Sequence, residues 1–173
     1  LPIIFWQKVN WKRVPDSLGL QFLRGLMLTM ATLFFFAAIK SNPIPSALTL
    51  LFISPLVVAV LSPMLLGERF DLFIGVGVLV GFFGVVIVLQ PTGDDFKPSL
   101  LLAVVAGICY ALYIIFTKKL SFKAPPVLTL FYSALVGILI MSPLAFASWS
   151  APDLRGFLLG AAMGFFAAAS HFM

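Results

Sequence analysis

One cysteine, one histidine and six acidic residues are spread over the 173 residues of this chain, and no acidic residue falls in the middle of an apolar run. A lone cysteine, Cys109, excludes an intramolecular disulfide. One histidine and one cysteine leave no set of soft ligands for a metal, and without paired carboxylates or a Ser/His arrangement inside the apolar runs an enzyme is not expected. Charge is scarce as well: only 10% of residues are charged, against 62% hydrophobic, which leaves too little polar surface to coat a soluble domain. The formal net charge is +5, but the basic residues are dispersed and form no groove-sized cluster, so nucleic acid is not an expected partner.

What the chain does have is long apolar runs. A bilayer core about 30 Å thick is crossed by about 20 apolar residues in a helix. Leu18–Ile39, Pro43–Gly67, Phe70–Leu89, Leu100–Phe116, Val127–Ala147 and Leu154–Met173 come close to that length. The expected fold class is therefore all-α, a polytopic helical membrane protein with six spans and the lipid bilayer as its first partner. Leu1–Trp6, which begins without Met and leads into a Trp-flanked basic loop, reads as an N-terminal stub of an earlier helix. On that reading the chain is a fragment, and helices of the same protein are missing from it.

Charge placement predicts topology. With the first loop cytoplasmic, Lys8, Lys12, Arg13, Arg69, Lys118, Lys119 and Lys123 lie inside, and Lys40, Lys97 and Arg155 outside. This bias obeys the positive-inside rule, and it places residues 6–17, 67–70 and 117–126 in the cytoplasm. Ser41-Asn42-Pro43, Gln90-Pro91-Thr92-Gly93 and Ala124-Pro125-Pro126 make tight reversals, so consecutive helices are expected to be antiparallel neighbours. Gly77, Gly81 and Gly84, and Gly156, Gly160 and Gly164, are expected to let helices approach closely, within the chain or in a homodimer.

A shift of 131 positions sets Leu23-Arg24-Gly25 over Leu154-Arg155-Gly156, and Phe34-Phe35 over Phe165-Phe166. The charge count runs these two helices in opposite directions, as in an inverted repeat with an odd number of helices per unit.

The segment Ser46–Phe70, with Ser54-Pro55 in mid-helix and Leu66-Gly67-Glu68-Arg69 at its end, followed by the glycine-rich stretch Gly81–Leu89 closing on Gln90-Pro91, resembles the EamA-type members of the drug/metabolite transporter superfamily. Tyr110-Ala111-Leu112-Tyr113 before Lys118-Lys119, and Ser170-His171, are similar to the second repeat of such proteins. The resemblance implies a carrier built from two inverted five-helix units. Residues 1–91 would be the C-terminal part of the first repeat (end of helix 2, helices 3–5), and residues 92–173 the N-terminal part of the second (helices 6–8). It further implies a secondary transporter, without cofactor, that moves a small organic metabolite or drug-like solute across a bacterial inner membrane. A non-transporting scaffold or assembly subunit is the alternative, because glycine-faced helices suit oligomer packing equally well.

The polar residues within spans are the candidates for a substrate path. Pro55 removes a backbone hydrogen bond in mid-span, which either exposes carbonyls to substrate beside Thr49 and Ser54 or makes a packed kink. Arg24, roughly 10 Å into its helix, is expected to snorkel to the headgroups, with anion binding in a cytoplasmic vestibule as the other reading. Tyr110 is deep enough to border a central cavity, whereas Tyr113, Thr117, Tyr132 and Ser133 read as interfacial. His171 is a candidate for the path or for an interfacial hydrogen bond. Glu68 and Arg69, at a helix end whose dipole disfavours the carboxylate, are expected to form a structural or gating clasp.

Overall fold

The structure, a computed structural model, describes residues 17–67, 69, 71–89, 97–147 and 153–170. Helices account for the regular elements of this part, and no strand occurs among the described residues. Helix α1 spans Leu18–Ile39. Its Leu, Met, Ala and Phe residues are good or adequate helix formers, and Pro43 prevents continuation. Asn42 closes the end by donating from Nδ2 to the Ala38 carbonyl at 2.7 Å.

The next apolar run is broken as its proline predicts. Helix α2, Ile44–Leu51, gives way at Phe52-Ile53 to α3, Ser54–Leu66, with Pro55 in the first turn of α3. In an unbroken helix the Leu51 carbonyl would accept from residue 55, and proline has no N–H to give. The Ile53 N–H turns instead to the Leu50 carbonyl at 3.2 Å. Helix α3 stops at Gly67, whose φ of 70° is the left-handed conformation that glycine adopts without strain.

Helix α4 covers Leu72–Leu89, and Asp71 accepts the Phe73 N–H in its first turn at 2.9 Å. After a short 3-10 turn, Pro98–Leu100, helix α5 runs Leu101–Ser121. The expected end at Phe116 is too early by more than a turn. Lys118 and Lys119 belong to the last turn of α5, where cations complement the helix dipole. Helix α6 is Pro126–Ala147 and α7 is Leu154–Ser170, with Asp153 accepting the Gly156 N–H at 2.8 Å.

The chain divides into two compact units, Leu1–Met141 and Ser142–Met173, with the boundary inside α6. In the first unit α5 is the central element and packs most extensively on α1. Side-chain pairs fix the directions. Arg24 meets Thr117 while Ala38 and Ala47 cluster with Ala103, so α1 is antiparallel to α5. Gln21 meets Thr129 and Arg24 meets Ser133, so α1 is parallel to the first part of α6. At the far end Asn42 donates to Ser99 at 2.9 Å and Lys97 to the Ser41 carbonyl at 3.2 Å, which stitches the α1–α2 turn to the start of α5.

Four segments among the described residues, Leu18–Ile39, Ile44–Leu66, Pro98–Ser121 and Leu128–Ala147, are long and apolar enough to cross a bilayer; the apolar stretches Leu72–Ile87 and Leu154–Phe166 are shorter. Their outer faces are apolar, with Phe73 91% and Met64 77% exposed. Apolar surface on this scale suits lipid or other helices rather than water. This is a multi-pass helical membrane protein.

Among the described residues the closest approaches occur at glycines other than those of the spaced sets. A Cβ at Gly77, Gly81, Gly84, Gly160 or Gly164 would meet nothing within 4 Å among the described residues. At Gly25 it would lie 2.8 Å from Val136 Cβ and 3.2 Å from Ser133 Cα, and at Gly107 3.0 Å from the Leu51 carbonyl oxygen. Gly25 brings α1 onto α6, and Gly107 brings α5 onto the α2–α3 break. Gly156 is exposed.

Candidate functional site

Arg24 does not snorkel. It is 3% exposed and points inward, among α1, α5 and α6. Nε donates to Thr117 Oγ1 at 2.7 Å, Nη1 to the Thr129 carbonyl at 3.1 Å and to Ser133 Oγ, and Nη2 to Tyr113 Oη at 3.0 Å. The guanidinium carbon also lies 4.6 Å from the centroid of the Tyr113 ring. These bonds engage four of the five N–H groups of the side chain. An inward-facing guanidinium is tolerable because each bond replaces one that water or a lipid headgroup would have made.

The hydroxyls are oriented for this task by their own helices. Thr117 donates to the Tyr113 carbonyl at 2.6 Å, Ser133 to the Thr129 carbonyl at 3.0 Å, and Thr129 to the Pro125 carbonyl at 3.3 Å. Each proton is thus spent on the preceding turn, and the lone pairs of Thr117 and Ser133 face Arg24. All the recorded partners are neutral: hydroxyls, a carbonyl and an aromatic face. Among the described residues the cluster holds a buried positive charge without a carboxylate beside it.

Gln21, one turn before Arg24 on the same face of α1, is fully buried. The orientation of its amide is assigned from the network: Nε2 donates to Thr129 Oγ1 at 3.4 Å, because the Thr129 proton is already committed to the Pro125 carbonyl. Gln21 Oε1 is buried without a hydrogen-bond partner.

Of the described residues proposed from sequence for the path, Arg24 alone is in this cluster. Tyr110, 39% exposed, adjoins it by stacking on Tyr113 at 5.7 Å between centroids. Thr49 and Ser54 are buried on the α2–α3 segment, and Thr49 spends its hydroxyl on the Pro45 carbonyl at 2.9 Å. Pro55 is exposed, and the Leu51 carbonyl that its break releases faces Gly107. Gly107 is six residues from Tyr113, roughly 9 Å along α5, so the break and the cluster are separate features. Arg69 is exposed, while Glu68 and His171 lie outside the described residues.

Sequence reasoning missed Gln21, Tyr113, Thr117, Thr129 and Ser133 as a group. A signal was present: Gln21 and Arg24, Tyr113 and Thr117, and Thr129 and Ser133 are each paired at three- or four-residue spacing, near one end of their helices. Leu23-Arg24-Gly25 lies in the second turn of α1, whereas Leu154-Arg155-Gly156 opens α7 with Arg155 exposed. The two motifs share sequence without sharing a helical position.

The described residues form a multi-pass helical membrane bundle with a cationic side chain buried among its helices. Residues 1–90, just over half of the chain, match the EamA-like transporter family, and the chain belongs to that family. Among curated relatives it is 31% identical over 153 residues to the S-adenosylmethionine uptake transporter of Rickettsia felis, covering 88% of this chain and 52% of that protein. It is 34% identical over 132 residues to the protein of the same name from Rickettsia bellii, covering 76% and 45%. A riboflavin transporter of Vibrio cholerae is 34% identical over 111 residues, covering 64% and 37%. The chain spans about half the length of these Rickettsia relatives. No solved structure matches it.

Proposed function

We propose that the gene product is a secondary transporter that moves a small organic metabolite across a bacterial inner membrane by alternating access. The observation that carries this reading is the Arg24 cluster, a buried polar site assembled from three spanning helices in a family of transporters. Intramembrane ionisable groups that face a bundle interior mark substrate pathways more often than lipid contacts. The names of the relatives make S-adenosylmethionine and riboflavin the first solutes to try.

In the proposed arrangement the α5–α6 turn and the Arg24 end of the bundle are cytoplasmic. The proposed arrangement divides the two repeats near residue 91, a reading supported by a family match over residues 1–90. Further helices of the same protein complete the path, and either they or a second copy cover the exposed face of α4.

The test is uptake of radiolabelled S-adenosylmethionine and riboflavin by cells or proteoliposomes carrying the full-length gene product. Saturable uptake above the empty-vesicle rate supports transport. Background rates for these and for a wider metabolite panel would favour the scaffold reading.

A further inference from the structure

The Arg24 cluster combines two unmet requirements. Among the described residues Arg24 has neutral partners only, so none of them gives its charge the compensation that buried ions normally find in an opposite charge. Three residues away on the same helix face, Gln21 presents a buried acceptor, Oε1, that no donor among the described residues satisfies. One asks for an anion and the other for a hydrogen-bond donor, and Thr129 links them by accepting from Gln21 at its hydroxyl and from Arg24 at its carbonyl.

We infer that this cluster is the recognition site for the α-amino-acid group of a zwitterionic substrate, with Arg24 taking the carboxylate and Gln21 Oε1 taking the ammonium. A carboxylate is a charged acceptor of matching planar geometry, and it replaces the weaker neutral hydroxyls of Thr117 and Ser133 at the guanidinium fork. Those hydroxyls keep their bonds to their own helices, so they can release Arg24 without losing their protons' partners. Tyr113, already stacked on Tyr110, supplies a phenolic O–H and an aromatic face beside the same group. A substrate bound there touches α1, α5 and α6 together, which is how binding at one site would bias the packing of three spans.

This inference rests on the transporter reading, but it is tested by binding rather than flux. Full-length protein in detergent is titrated with S-adenosylmethionine and with its decarboxylated analogue, which keeps the amine, sulfonium and nucleoside and lacks only the carboxylate. The expected result is that the wild type prefers S-adenosylmethionine and that Arg24→Gln weakens it by roughly 10- to 150-fold, the range of one charge-assisted hydrogen bond. The analogue should change by less than about threefold, and Gln21→Leu should weaken both probes because both retain the amine. Melting curves of Arg24→Gln, beside those of Arg24→Lys, which keeps the charge, guard against reading misfolding as lost recognition. The wild-type preference itself needs no variant.

Equal affinity of the wild type for the two probes would overturn the inference, as would equal weakening of both by Arg24→Gln. Uptake of riboflavin without binding of any amino-acid probe would also overturn it while leaving the transporter reading intact. The full binding pattern without flux would do the reverse.

Discussion

Gly107→Ala tests whether α5 is seated on the break between α2 and α3. The added methyl would lie 2.8 Å from Ile53 Cγ2, 3.0 Å from the Leu51 carbonyl oxygen and 3.3 Å from the Leu50 carbonyl oxygen. Ile53 can rotate away, but the carbonyls belong to the backbone at a point where Pro55 has already removed a hydrogen bond, so they yield only if the break opens. Overpacking of this kind costs about 1–3 kcal/mol. Alanine also gains about 1 kcal/mol over glycine in helix propensity, which would mask part of that cost. Gly81→Ala supplies the reference, since its methyl meets nothing within 4 Å among the described residues. The propensity gain cancels between the two variants, leaving Gly107→Ala about 1–3 kcal/mol less stable than Gly81→Ala. Unfolding of the purified protein in mixed micelles, followed by helicity against denaturing detergent, measures that difference. Equal midpoints would mean that α5 does not rest on the Leu50 and Leu51 carbonyls, and the proposed seating would be refuted.

Gly25→Ala should destabilise by a similar amount, because the new Cβ would stand 2.8 Å from Val136 Cβ, and the same unfolding assay checks it. Tyr113→Phe keeps the ring beneath Arg24 and removes the hydroxyl at 3.0 Å, so it should cost about 1.5–3 kcal/mol, and Tyr113→Leu more, as a melting series would reveal. Pro55→Ala restores an N–H for the Leu51 carbonyl and should raise the melting temperature while slowing uptake; faster or unchanged uptake would assign the break to packing alone. For orientation, single cysteines in a Cys109→Ser background at the exposed positions Lys40 and Lys123 should differ in sidedness. Lys40→Cys should react with an impermeant thiol reagent on intact cells and Lys123→Cys only after permeabilisation, and labelling of both from outside would reject the charge-derived topology.

The spans were readable in the sequence because lipid imposes a length and an apolar content that few other environments demand. The break before Pro55 and the stop at Gly67 were readable for a similar reason: proline lacks an N–H, and glycine accepts the left-handed cap. The last turn of α5 was hidden by Lys118 and Lys119, which look like loop residues until their fit to the helix dipole is considered. Arg24 was harder. Its depth is a local property, but the direction of its side chain depends on Thr117 and Ser133, 93 and 109 residues away. Spacing could show that Tyr113 and Thr117 share a face of α5, and nothing local says that Arg24 lies opposite that face. The glycines make the same point, because Gly77 and Gly81 have the spacing of a packing motif, while the close approaches occur at Gly25 and Gly107, whose partners come from other helices.

The central claim, that the full-length protein is a carrier with a site that alternates between the two membrane faces, is tested most directly by counterflow. Proteoliposomes are preloaded with unlabelled S-adenosylmethionine, and entry of the labelled compound is compared with that into vesicles loaded with buffer. A carrier exchanges substrate faster than it returns with its site unliganded, so preloading should raise the initial rate, and Arg24→Gln should abolish the increase. Entry that is saturable but unchanged by preloading would contradict alternating access, and entry no faster than into protein-free vesicles, for this solute and for the wider panel, would contradict transport itself.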